Sequence, residues 1–258
     1  MRFASLGSGS AGNALLIESM IAGRPRRVLI DCGFGPRELS RRLGRLGLTP
    51  QDLDAILVTH EHGDHVGGVP SLARREALPV YLTWGTYSAL SASAFGDAPI
   101  HLLDAQHGFE VAGFGVRPIA VPHDAREPVQ FVIEDGHSRL GVLTDLGHGT
   151  PHITQTFSCL TALVLECNHD EGMLLAGTYP PSLKRRIGGP YGHLSNVAAA
   201  SILSSLDRSR LTCVVAAHLS EQNNRPELAA SALLGQGGID QSLLMIADQE
   251  AGFDWCAG

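Results

Sequence analysis

The chain has 258 residues, of which 44% are apolar and 17% charged, and its formal net charge is −7. That is enough apolar content for a sizeable core and enough length for one large domain or two small ones. The acidic balance excludes a general basic coat for nucleic acid, so any polyanion site must be local or assisted by metal charge. No apolar run is long enough for a bilayer-spanning helix.

Arg2 to Leu6 reads as a first strand, followed by the glycine-serine turn Gly7 to Asn13. Its backbone amides could cradle a phosphate, with Ser10 and Asn13 as contacts; the plainer account is a hairpin or a close approach between backbones. The residues before it lack the apolar core of a secretory signal, which favours the cytoplasm. Ala14 to Glu18 resumes a strand. Val28-Leu29-Ile30 is a buried strand ending in Asp31, a candidate to orient a ligand histidine. Pro36 to Leu46 is a helix whose arginines 37, 41, 42 and 45 suggest a solvated face.

The most informative stretch is Thr59-His60-Glu61-His62-Gly63-Asp64-His65, between an apolar strand and a glycine-rich segment. Three imidazoles and a carboxylate on so little backbone make a metal-ligand pattern. Further on, Val69 to Ala77 reads as a helix, Pro79 to Leu82 as a strand, and Thr83 as the cap of a helix reaching Phe95. Val116 to Val121 is a strand ending in His123. Val129 to Ile133 and Leu140 to Leu143 form a hairpin leading to Asp145. Thr161 to Leu165 ends in Glu166-Cys167-Asn168-His169-Asp170. Cys213 to Ala217 is the last clear strand and ends in His218.

Apolar strands thus end repeatedly in Asp or His: at 31, 60, 123, 145 and 218. In mixed α/β sheets, ligands gather outside the carboxyl ends of strands. With no repeat and no long linker, the chain reads as a single domain over 1–258, two sheets between helical layers. The five cysteines are scattered, and reduced thiols are the simplest account.

These motifs resemble the metallo-β-lactamase fold hydrolases across nearly the whole chain. The segments Ser-Gly-Ser-Ala-Gly-Asn, Val-Pro-His-Asp-Ala (121–125), Glu-Cys-Asn-His-Asp (166–170), Gly-His-Leu-Ser-Asn (192–196) and Ala-His-Leu-Ser-Glu-Gln-Asn-Asn (217–224) are similar to the YycJ-like (WalJ) branch, related to tRNase Z and PhnP-type phosphodiesterases. The resemblance implies an α/β fold, the αββα sandwich, with two divalent metals on one edge. It places His60, His62 and His123 on the first, and Asp64, His65 and His218 on the second. Asp145 would bridge them, with Asp31 supporting from behind. Zinc suits the imidazole-rich set, while manganese and iron also suit mixed sites. His148 stands where that branch would be expected to carry an aromatic residue.

The implied activity is a 5′-to-3′ exonuclease on single-stranded nucleic acid, with a metal-bridging hydroxide attacking phosphorus. Asp64, Asp145 and His193 are the candidate catalytic residues, with His193 protonating the leaving group or gripping a phosphate oxygen. Its bland alternative is a residue preceding the helix that Ser195 or Asn196 caps. Asn168, His169, Lys184, Arg185 and Ser195 are candidates for substrate contact, although Lys184 to Arg186 could equally be an exposed helix face. The alternatives are a small-molecule hydrolase of the same fold, such as a glyoxalase II-type thioesterase or a cyclic phosphodiesterase, and a non-enzymatic binding or redox module.

Overall fold

The computed structural model describes residues 1–258. Fourteen strands form two seven-stranded sheets. The first is built from β1 (Arg2–Gly7), β2 (Ala14–Ile21), β3 (Arg24–Ile30), β4 (Ala55–Leu57), β5 (Val80–Thr83) and β6 (Ile100–Leu103). The second holds β7 (Phe109–Val111), β8 (Phe114–Ala120), β9 (Val129–Glu134), β10 (Arg139–Leu143), β11 (Ala162–Glu166), β12 (Cys213–Ala217) and β13 (Leu244–Ile246). The chain then returns to the first sheet as β14 (Phe253–Ala257), which pairs with β1.

Each sheet is antiparallel on one side and parallel on the other. Strands β3 to β6 run parallel, and so do β10 to β13. Side chains alternate across each strand. Phe3, Ile17, Val28, Ile30, Phe131, Val142 and Val215 therefore fill the space between the sheets. Leu16, Leu29 and Ile56 face outward onto α1 (Pro36–Arg45) and α3 (Val69–Glu76). Leu143, Leu163 and Val214 face the other way. There they pack on α5 (Pro151–Thr156), α8 (Asn196–Ser205) and α9 (Pro226–Gly235), with short helices α2 (Gly63–Val66), α4 (Trp84–Ala89), α6 (Glu171–Ala176) and α7 (Pro181–Ile187) in the connections. The result is the αββα sandwich.

Three details differ from the sequence reading. The helix capped by Thr83 stops at Ala89, and Ala92–Phe95 is a separate 3₁₀ turn. Ser88 bonds back to the Gly85 carbonyl and Ser91 pairs with Ser93, the kind of local serine bonding that competes with a continuing helix. Cys213–Ala217 is not the last strand, since β13 and β14 follow it. On α1, Arg42 is buried rather than solvated: its guanidinium donates to the carbonyls of Leu6 and Glu250, and Arg45 donates to that of Ala251.

Candidate metal centre

The parallel strands of both sheets deliver polar residues to one rim. Asp31 follows β3, His60 follows β4, Asp145 follows β10, Glu166 ends β11 and His218 follows β12. Asp31, Asp145 and His218 all adopt left-handed backbone conformations, with φ of 59°, 52° and 55°. Such turns are uncommon outside glycine, and at functional sites they hold a side chain where an extended strand could not.

Three ring nitrogens meet at one end of the rim. His60 Nε2 lies 3.0 Å from His62 Nδ1, and His123 Nε2 lies 3.3 Å from that same atom. The hydrogen-bond network fixes which nitrogens are bare. His123 Nδ1 is 3.0 Å from the Gly192 carbonyl, which can only accept, so Nδ1 carries the proton and Nε2 a lone pair. Thr59 gives its hydroxyl proton to Asp31 at 2.7 Å, so the hydroxyl oxygen accepts from His60 Nδ1 at 2.9 Å. His60 Nε2 is therefore also bare. Burial, reinforced by the neighbouring imidazoles, holds the His60 pKa well below the ordinary histidine value, and burial lowers that of His123. Bare, neutral nitrogens about 3 Å apart are what a tetrahedral ion with bonds of about 2.0–2.1 Å requires.

A second donor set adjoins the first. Asp64, His65 and His218 present atoms within 4.8 Å of one another, and so do His60, His65 and Asp145. Asp145 Oδ2 is 3.1 Å from His65 Nε2, yet it and His218 Nε2 are buried atoms without a hydrogen-bond partner. Buried polar atoms left unpaired are costly, and a cation held between these two would satisfy both once the histidine protons are displaced. The donor chemistry thus fits divalent cations. Asp31 braces this set by accepting from His65 Nδ1 at 2.8 Å. Electrostatics are strong here. Burial opposes the charge on His218, but Asp145, Asp64 and Glu166 outweigh it and push the pKa up to about 10. Asp145 and Asp31 likewise raise that of His65 against its burial. Asp145 is itself held well below the usual carboxylate range, against burial, chiefly by His218 and His65.

Glu166 is the residue the sequence reading left without a role. It is fully buried, accepts from His193 Nδ1 at 2.7 Å, lies 3.4 Å from His218 Nδ1, and receives the amides of Leu146 and Leu194. A carboxylate closing the apolar strand Ala162–Glu166 was the available signal.

His193 stands between two clefts. One, of about 400 Å³, opens over the donor cluster and is lined also by Ser10, Asp64, Asp145, Tyr179 and Arg186. The other, of about 540 Å³, contains His169, Ser195, Lys184 and Arg185. The basic residue beside the cluster is therefore Arg186, which bonds Asp124 at 2.5 Å. Lys184 and Arg185 sit one cleft away, and Lys184 Nζ donates to the Leu175 carbonyl. Ser195 caps α8 and donates to Glu171. Asn168 is buried and donates to the His218 carbonyl. Asn13 turns inward, 3.1 Å from His65 Nε2 and 3.3 Å from Asp64. In the Gly7–Asn13 loop the amides of Gly7, Gly9 and Gly12 are taken by Ser5, Asn13 and Gly9. His148 bonds the Pro190 carbonyl, away from the cluster.

A four-layer αββα sandwich with histidines and aspartates from both sheets on one rim defines a hydrolase of the metallo-β-lactamase fold, a fold that binds divalent metal. Residues 26–227 match the family described as "Beta-lactamase superfamily domain", and the chain belongs to it. It is 34% identical over 232 residues to a Bacillus anthracis protein named exodeoxyribonuclease YycJ, covering 89% of this chain and 86% of that one. It is 29% identical over 239 residues to the Streptococcus pneumoniae protein named exodeoxyribonuclease WalJ, covering 91% and 87%. The crystal structure of Zn²⁺-bound PqqB from Methylobacterium extorquens shares the fold, with a TM-score of 0.75 at 18% identity over the whole of both chains.

Proposed function

We propose that this chain, acting as one domain, is a two-metal exonuclease that degrades single-stranded nucleic acid from its 5′ end, with DNA as the first substrate to test. The observation that carries it is the convergence on Asp145, which stands among donors from both sheets and 3.5 Å from His193, beside a cleft that holds Arg186. The relatives named exodeoxyribonucleases support the same reaction class. His60, His62 and His123 would hold one ion, and Asp64, His65 and His218 the other, with Asp145 between them. Zinc is our first assignment because imidazoles dominate the set, ahead of manganese and iron.

When bound, such a pair supplies a nucleophile at neutral pH by acidifying water, and positive charge for the leaving oxygen. The rest falls to the chain. Arg186 grips a non-bridging phosphate oxygen, and Asp124 fixes its guanidinium in the cleft. His193 delivers a proton to the leaving oxygen, and Glu166 fixes its tautomer by taking Nδ1–H. Asp31, Thr59 and the Gly192 carbonyl engage Nδ1 of His65, His60 and His123, so that Nε2 of each would face the ions.

The test is incubation of metal-loaded protein with 5′-phosphorylated single-stranded DNA and RNA, and in parallel with a thioester and bis-p-nitrophenyl phosphate. Mononucleotides released by the wild type and not by Asp145→Ala are expected. Thioester turnover without strand degradation would overturn the proposal in favour of a small-molecule hydrolase, the reading that the net charge of −7 favours.

A further inference from the structure

Two of the five free cysteines are not solitary. Cys213 opens β12 in the second sheet, and Cys256 lies in β14 at the edge of the first. Their sulfurs are 3.2 Å apart across the sandwich. Cys32 and Cys167 are buried elsewhere, in the outer cores, and Cys159 donates to Asp207 on the surface side. From the contact of Cys213 and Cys256 we infer a redox modification site, at which the two thiols form a disulfide that ties the sheets together. A bond of about 2.05 Å needs the sulfurs to close by roughly 1.2 Å from their present contact.

Burial divides the roles. Cys213 is 5% exposed and packed in the inter-sheet core, whereas Cys256 is partly open. Cys256 therefore meets the oxidant, taken as hydrogen peroxide. Its thiolate attacks one peroxide oxygen, the O–O bond breaks, and a sulfenic acid forms as hydroxide leaves. The Cys213 sulfur then attacks the Cys256 sulfur. The S–O bond breaks, and the departing hydroxide takes the Cys213 proton as water. Two thiols lose two electrons and one peroxide becomes two waters.

The closed ring runs from 213 to 256 and includes His218. It also fastens the turn before β14, where Gln249 accepts from the Ala11 amide and the Glu250 carbonyl accepts from Arg42. That turn abuts the Gly7–Asn13 loop, whose Ser8 hydroxyl receives the His218 amide at 2.8 Å. The link thus anchors the last strand to the frame behind His218.

The test treats the intact chain with hydrogen peroxide and then counts thiols in denaturant. Five thiols should fall to three, the mass should drop by two hydrogen atoms, and a 213–256 cross-linked peptide should appear on mapping. The melting temperature should rise by about 5 °C, reversibly with dithiothreitol. Cys256→Ser, at a partly exposed edge position, should keep all four remaining thiols and show no rise, and Cys213→Ala provides the same control from the other side. Five thiols persisting in the wild type, oxygen added at Cys256 without loss of Cys213, or a cross-link mapped to another pair would each overturn the inference.

Discussion

His193 Nδ1 and Glu166 Oε1 are joined by a 2.7 Å hydrogen bond at the floor between the two clefts, and Nε2 of the same ring has no protein partner. Glu166 also raises the pKa of His193, overcoming the burial that would lower it. Replacing His193 with Ala should leave bound metal unchanged and lower turnover by about 10²–10⁴-fold. Metal analysis alongside steady-state kinetics checks this; loss of metal would make His193 a ligand instead.

Glu166→Gln keeps the shape and removes the charge. Glu166 touches both His193 and His218, so the variant should weaken metal binding by roughly 10–100-fold as well as slow turnover. Competition against a chelator of known affinity separates the two effects. Unchanged metal affinity would show that Glu166 serves His193 alone.

Metal has to displace protons from this site. His65 and His218 are held charged by Asp145 and its neighbours in the ion-free protein, with His218 at about 10. A raised folded-state pKa stabilises the ion-free fold fully below the ordinary value of about 6.5, and that contribution is lost as pH climbs through the raised value. The ion-free protein should therefore melt lower at pH 9 than at pH 6.5. Metal affinity should rise over the same range, with one to two protons released per chain at pH 7. Calorimetry in buffers of different ionisation enthalpy counts the protons, and a count of zero would contradict the assignment.

Arg42→Ala leaves the carbonyls of Leu6 and Glu250 without their shared buried donor. A loss of about 1–3 kcal/mol in chemical denaturation is expected. The variant should also loosen the Gly7–Asn13 loop, read out as faster proteolysis near Gly9. A stability equal to wild type would restore the view of α1 as a simple solvated face.

Most of the rim was legible because each donor follows its strand directly in the chain. An apolar run followed by Asp31, His60, Asp145 or His218 names both the strand and the residue at its end. Glu166 escaped because a glutamate at a strand end is ordinarily solvent-exposed, and only the fold brings two histidines to it across intervals of 27 and 52 residues. Arg186 escaped for a related reason. Three consecutive basic residues on a helix look alike until the helix is docked and only one turns to Asp124. The late strand β14 is short and carries Asp254 among its apolar residues, so its place beside β1 depends on pairing rather than pattern.

The left-handed corners at 31, 145 and 218 carry two demands at once. Each must tolerate a backbone twist that few residues other than Gly, Asn, Asp and His accept readily, and each must also offer a basic nitrogen or an anionic oxygen. Glycine meets only the first demand, and asparagine meets the second only with a neutral oxygen. The alphabet at these corners therefore shrinks to two letters, aspartate and histidine, which are the two found there. Random exchange at these three places should yield almost no working clones, even where neighbouring buried positions accept several amino acids.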